Sequence, residues 1–341
     1  MTTVKHIVVN DEFLVADIKP RELIAEYRHL VRREMEALSE RPELLKSVGC
    51  PCCSAEIRRD AFGRFGLSYG ACVSCGTLYV SPRPDDAWLR NHYRNSESRR
   101  YWSDVLAART SGQRRSRIIA PRFEWVSDSV AAYGSGFGVI ADVNTSQPEV
   151  LQALLGTGFS RKVLVDPLHP ADPGEVDGPE CLDDALTDLE LDAELDALTL
   201  FEVIDHTADV RSLLARAWGA LKPGGLLFVT AIVSSGFDVL LLWDRLDSLI
   251  PPDRLNTCSV KGLRGLMEDA GFECLEVSTP GILDVANVKD VAERDSSLEL
   301  SRFERYLVQS GFAHDHRALQ DFLQAELLSS YCRMVLRRPR H

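Results

Sequence analysis

The chain has 341 residues, 45% of them hydrophobic, enough for one large domain with a smaller companion, which excludes a disordered or fibrous protein. Its formal charge of -12 argues against nucleic acid as the main partner, because neutralising phosphates leads that interaction. The opening MTTVKHIVVNDEF lacks the basic-then-apolar pattern of a secretory signal and no apolar run reaches the roughly 18 to 20 residues of a bilayer span, so a cytoplasmic setting with no membrane partner is expected.

Residues 1 to 46 read as a strand-like start, HIVVNDEFLVADI, followed by a helix opened by Pro20, with Leu23, Ile24, Tyr27, Leu30, Val31 and Met35 at helical spacing. Residues 47 to 82 hold five of the nine cysteines among aromatic and glycine residues suited to short hairpins. Nine cysteines are too sparse for a disulfide scaffold, and clustered ones in a reducing compartment more often bind metal. Cys50-x-x-Cys53 and Cys72-x-x-Cys75 are separated by eighteen residues, inside the range for a four-thiolate zinc site. Such a cage has no open position for water, so its zinc serves folding. Cys52 reads as a bystander, and Cys181, Cys258, Cys274 and Cys332 as small hydrophobes.

Residues 83 to 135 read as a polar helical connector packed through Trp88, Tyr93, Tyr101 and Trp102. Its recurring arginines, from Arg83 to Arg122, contrast with Asp166 to Asp209, which contains no Lys or Arg. They fit either intrachain pairs with that acidic half or an anionic small substrate. From residue 136 to 341, strands and helices alternate. GFGVIADV, RKVLVD, ALTLFEV and GLLFVTAIV are apolar runs of the kind buried on both faces of a parallel sheet, with EVLQALLGTG and DVRSLLARAWGALKPGG as intervening helices. A helix at 260 to 270, a strand FECLEVS, two helices across 296 to 327 and a final strand SSYCRMVLRR follow. The predicted class is α/β: a doubly wound, Rossmann-like sheet whose ligand site lies beyond the C-terminal strand ends.

The segment CPCC(x18)CVSCG with TLYVSPRPDDAWLRNHY resembles the zinc module of class I S-adenosylmethionine-dependent methyltransferases of the deoxysugar C-methyltransferase type. LDALTLFEVIDHTADVRSLLARAWGALKPGGLLFVTA is similar to that family's fourth strand, following helix and Lys-Pro-Gly-Gly turn, and LNTCSVKGLRGLMEDAGFECLEVSTPG to its next helix and strand. The resemblance implies S-adenosylmethionine as cofactor and methyl transfer to carbon or oxygen of a small molecule of sugar or natural-product type. It places the cofactor against Asp142, Asn144 and Ser146 after the first strand, Asp166 and Pro167 after the second, Leu182 and Asp183 at the adenine, and Phe201 and Glu202 after the fourth. Asp166 would accept the ribose hydroxyls; the other reading of Asp166 and Asp183 is of solvated loop carboxylates.

One departure stands out. Asn144, Ser146 and Pro148 fill positions where the family has glycines, which let the backbone approach the cofactor closely. Asn tolerates a left-handed backbone and Ser is small, so the turn can stay compact while its fit to the methionine end changes. Phe201-Glu202-Val203-Ile204-Asp205-His206 is similar to the family's Glu-Val-Leu-Glu-His run, which makes His206 the candidate general base and Asp205 either its orienting partner or an exposed carboxylate. The competing role for His206 is structural, capping the helix that begins near Ala208. IPPDRLNTCS stands where the family has Pro-Glu-His-Leu-Asn, with Asp253 and Arg254 in place of Glu and His. The helical insert 282 to 328, with Phe303, Tyr306 and Phe322, offers ordinary packing or a homodimer face, with a lid as the alternative. Two function classes follow: an active small-molecule methyltransferase, or a silent methyltransferase fold kept as an assembly or regulatory partner.

Overall fold

In the computed structural model, residues 20–134, 136–143, 148–166, 180–188, 191–309 and 313–340 are described. The strand-like start within residues 1–19 lies outside them. The chain opens with α1 (Arg21–Ser39), whose apolar stripe Tyr27, Val31, Met35 and Leu38 is buried. Three strands follow, β1 (Arg58–Arg64), β2 (Leu67–Cys72) and β3 (Leu78–Val80), joined antiparallel in sequence order. The α1 stripe packs on Phe65, Leu67, Tyr69 and Leu78, so the small sheet gains a hydrophobic cover that it is too short to supply itself.

Helix α2 (Asp86–Asn95) starts at Asp85, whose carboxylate accepts the Trp88 N–H at 3.0 Å. A continuous helical stretch, α3 (97–133), contains two π-helical segments, Trp102–Ala107 and Arg115–Ile119. Both carry residues that border the central cavity, Trp102 in the first and Arg117 and Ile119 in the second, in keeping with the frequent location of π-bulges at functional sites.

The main sheet has seven strands: β4 (Val139–Val143), β5 (Arg161–Val165), β6 (Glu180–Leu182), β7 (Leu195–Phe201), β8 (Leu221–Ile232), β10 (Glu273–Ser278) and β11 (Tyr331–Arg337). Their order is β10-β11-β8-β7-β4-β5-β6. All neighbours from β8 to β6 are parallel, and β11 runs antiparallel between β8 and β10. The order reverses at β4, which pairs with β5 on one side and β7 on the other, making the crevice above β4 and β7 the topological switch point. Alternation along the strands fills both faces. Ile140, Leu164, Leu226 and Phe228 meet Phe123 and Val126 of α3 and Leu154 of α4 (Pro148–Leu155). Leu198, Leu200, Leu227 and Val229 meet Leu213 and Leu214 of α6 (Val210–Ala220), which follows the short α5 (Val203–His206).

After α7 (Phe237–Leu242), a two-residue strand, β9 (Asn256–Thr257), leaves the main domain and joins the cysteine sheet as a fourth strand against β3. Helix α8 (Val260–Asp269) then lies against the cysteine turns, where Gly262 is needed: a Cβ there would meet Thr77 Oγ1 at 2.7 Å and Cys75 Sγ at 3.2 Å. Among the described residues, the two helices expected across 296 to 327 are α10 (Arg302–Gln309) and α11 (Ala313–Ala325), and a further helix not foreseen there, α9 (Asp284–Arg294), precedes them. Among the described residues no helix is long and apolar enough to cross a membrane.

Candidate active site and cysteine cluster

The ends of β5 and β7 are bent by two non-glycine residues in the left-handed region, Asp166 at φ 47° and Glu202 at φ 62°. Such backbone costs free energy and persists where surrounding contacts over-determine it, often at functional sites. The Glu202 N–H donates to the Thr230 carbonyl at 2.9 Å, and its carboxylate accepts from Arg122 at 2.6 Å and Arg254 at 2.7 Å. Burial alone would raise its pKa, but the two guanidiniums outweigh it and hold Glu202 well below the usual carboxylate range. Arg122 in turn lies in an alternating stack: the rings of Phe201, Tyr331 and Trp125 are interleaved by Arg122 and Arg333, with guanidinium carbons 5.3 to 5.6 Å from ring centroids.

Arg122, Phe201, Glu202, Arg254, Tyr331 and Arg333 form one wall of a cavity of about 410 Å³, within the range of small-molecule sites. Asp142 and Val143 at the end of β4, Phe201 and Glu202 at the end of β7, and His206 in α5 border it. Asp142 is buried and accepts from Thr199 Oγ1 at 2.5 Å. On the far side stands Asp253, which accepts from Tyr27 at 2.5 Å and Tyr93 at 3.3 Å and pairs with Arg99 at 3.7 Å. The Tyr93 ring lies 4.8 Å from that of His206. Burial lowers the His206 pKa to about 4, with Asp253 opposing and Arg99 and Arg254 reinforcing the shift, so the imidazole is neutral at pH 7.

Asp205 lies outside that wall. Its carboxylate, fully buried and so not the exposed group of the other reading, accepts the Ile232 N–H at 3.1 Å and pairs with Arg254 at 3.3 Å. Burial pushes Asp205 up to about 8, with Arg254 pulling the other way. The unfolded carboxyl ionises near 3.8, so this stability is complete below that value and is lost as pH rises through 8. The two histidines of lowered pKa, His92 and His206, lose stability only below about 6.5, outside that window. Between pH 6.5 and 8 the unfolding free energy of Asp205→Asn is therefore expected to gain on the wild type by about 1.4 kcal/mol per pH unit. Parallel urea-denaturation curves across that range would refute the assignment.

Asn256 is a hub that no motif marked. Its side-chain N–H groups donate to the Ile204 carbonyl at 2.8 Å and the Thr207 carbonyl at 2.7 Å, and its oxygen accepts from Arg83 at 2.5 Å. One buried amide thus ties the His206 turn to the segment leaving the cysteine sheet.

Asp166 is also buried, at 6% exposure, and its Oδ1 accepts from Arg90 at 3.2 Å and Arg94 at 2.6 Å. Both arginines donate as well to the Asp183 carbonyl, so part of the basic connector pairs with the acidic stretch. Leu182 ends β6 and pairs with Val165. Asn144, Ser146 and Pro167 lie outside the described residues.

The four predicted cysteine ligands converge: the sulfurs of Cys50, Cys53, Cys72 and Cys75 all lie within 4.8 Å of one another. Cys50–Cys75 and Cys53–Cys72 are each 3.5 Å apart, against about 3.8 Å for a tetrahedron with 2.3 Å zinc–sulfur bonds. Each pair sits on a tight turn, with Ser54 N–H donating to the Cys50 carbonyl and Gly76 N–H to that of Cys72. Burial raises the Cys72 thiol, but the Cys75 and Ser74 amides and neighbouring thiols bring it down to about 7. Cys52 is buried beside Cys258, its thiol raised chiefly by that neighbour.

A family model described as a methyltransferase domain matches residues 99–277, more than half of the chain. The chain belongs to this methyltransferase family. It is an S-adenosylmethionine-dependent enzyme. No curated protein matches the methyltransferase in sequence. Among solved structures it is similar to phosphoethanolamine N-methyltransferase 2 of Haemonchus contortus, with TM-score 0.44 and 15% identity over 77% of this chain and 63% of that one. It is similar also to the 1,6-didemethyltoxoflavin-N1-methyltransferase of Burkholderia thailandensis, with TM-score 0.43 and 12% identity over 82% and 99%. At these TM-scores the likenesses carry no part of the assignment, which the family match makes.

Asp142 and Asp166 stand at the ends of neighbouring parallel strands, where carboxylate oxygens could accept a cofactor's hydroxyls, but only Asp142, with Val143 and Phe201, borders the cavity at the switch point.

Proposed function

We propose that the methyltransferase acts on carbon or oxygen of a small biosynthetic intermediate of sugar or natural-product type, with His206 as general base and structural zinc at the four cysteines. The observation that carries the reading is the neutral His206 imidazole in the wall of the cavity, beside the Glu202 strand end. When bound, S-adenosylmethionine supplies an electrophilic methyl group on a sulfonium centre. The chain's own part is to hold the acceptor against His206, to exclude water with the Tyr27, Tyr93 and Trp102 rings, and to take up the acceptor's proton at the imidazole. Because this imidazole is already unprotonated, the rate should be flat from pH 6 to 8 and fall only as pH drops towards about 4.

Four converging thiolates with no open position favour zinc in a folding role. The exposed Phe303, Tyr306 and Phe322 of the insert support a homodimer, and the net charge supports a protein without nucleic-acid partners.

The test is transfer of a labelled methyl group from S-adenosylmethionine to a panel of hydroxylated and keto-bearing small molecules, with RNA and a protein extract alongside. Label is expected in the small-molecule fraction. His206→Asn should lower the turnover about 10² to 10⁴-fold while leaving S-adenosylhomocysteine affinity within about threefold. Label confined to RNA or protein, or an unimpaired His206→Asn enzyme, would overturn the proposal.

A further inference from the structure

Helix α2 touches both halves of the site. Its first turn is fixed to the body, since the Asp86 carboxylate accepts the Ala208 N–H at 2.6 Å and the Asp209 N–H at 2.9 Å. Tyr93 faces the acceptor cavity, against His206 and Asp253. Arg90 and Arg94, one turn apart, reach the opposite way, to Asp166 and the Asp183 carbonyl at the ends of β5 and β6. A carboxylate that is to accept two ribose hydroxyls must present its oxygens outward, but Asp166 is nearly buried beneath two guanidiniums. Accordingly the cavity wall includes Asp142, Phe201 and Glu202 but neither Asp166 nor Asp183. The arginine side chains themselves are about a third exposed, at 29% and 35%, so they can swing into solvent without unpacking a core.

We propose that Arg90 and Arg94 form a latch over the adenosine end of the cleft, and that nucleotide binding requires this latch to leave Asp166. The inference rests on the reading of Asp166 as the ribose acceptor. In the latched state the fraction of binding-competent protein is small, and apparent affinity is reduced by that fraction. Release also unties the C-terminal half of this helix, which carries Tyr93, while Asp86 still holds its first turn, so filling the nucleotide end loosens the wall of the acceptor cavity; a binding event at one end is thereby felt at the other.

The experiment is calorimetric titration of the zinc-loaded protein with S-adenosylhomocysteine, wild type against Arg90→Ala/Arg94→Ala, with single Arg90→Gln and Arg94→Gln variants guarding against a folding defect. The double variant is expected to bind at least about tenfold more tightly, and the single variants to fall between. Hydrogen exchange of residues 90–95 in the wild type should rise on adding the nucleotide. Equal affinities would overturn the latch alone and leave the cofactor reading intact. Weaker binding by the variants would make the arginines ligands rather than a barrier, again overturning the latch. Absence of binding by every form would overturn the placement of the nucleotide together with the latch.

Discussion

Replacing Cys72 by serine is expected to abolish retention of one zinc equivalent and to cost the largest share of stability of any single substitution in the chain, several kcal/mol. Structural zinc contributes on the order of 10 kcal/mol or more of apparent binding free energy in small modules, and that free energy is folding free energy. Here the loss would spread. β3 is paired with β9 through Leu78–Thr257 and Tyr79–Asn256, Arg83 holds Asn256, and Asn256 holds the Ile204 and Thr207 carbonyls on either side of His206. Loosening the cysteine turns therefore unpins the acceptor cavity about as directly as a change within it. Metal analysis and urea denaturation of the variant would check this. A Cys72→Ser protein that keeps its zinc and an unchanged midpoint would refute the closed four-thiolate cage.

The parts of this architecture that were legible in the sequence are those whose signal is local. Continuous apolar runs such as ALTLFEV and GLLFVTAIV mark β7 and β8 because strands covered on both faces need apolar residues at every position. The CxxC pairs mark their cluster because metal geometry fixes spacing. What escaped was long-range. Arg94 and Asp166 are 72 residues apart, Arg122 and Glu202 are 80, and nothing in a solvated arginine distinguishes it from one that will grip a buried carboxylate. The left-handed backbone at Glu202 escaped for the same reason, since glutamate does not signal positive φ, and that at Asp166 because aspartate, though enriched there, adopts it at only a few of its positions. β9 is two residues long, too short for any periodicity, and α9 was not singled out within the insert. His206 was legible through its motif, but the burial that keeps it neutral and the pairing of Asp205 with Arg254 are properties of packing alone.

Glu202→Gln is expected to destabilise the methyltransferase by about 3 kcal/mol, the low end of the range for breaking a buried ion pair because Glu202 retains some solvent contact. Two guanidiniums converge on this one carboxylate, at 2.6 and 2.7 Å, and the amide would present an N–H to at least one of them. Arg122 keeps its stacking against Phe201 and Tyr331, which limits the loss on that side; Arg254 keeps Asp205, whose carboxyl would be drawn toward ionisation to compensate. The sign with pH follows from the depressed pKa: the stability that Glu202 contributes is present above its unfolded value near 4.5 and is lost as pH falls through the folded one. The gap between wild type and variant should therefore be full at pH 7 and shrink steadily below about 4.5. Urea midpoints across that range decide it. A gap under about 1 kcal/mol at pH 7, or one that does not close in acid, would mean that the aromatic–guanidinium stack holds Arg122 unaided and that Glu202 is not the anchor of this wall.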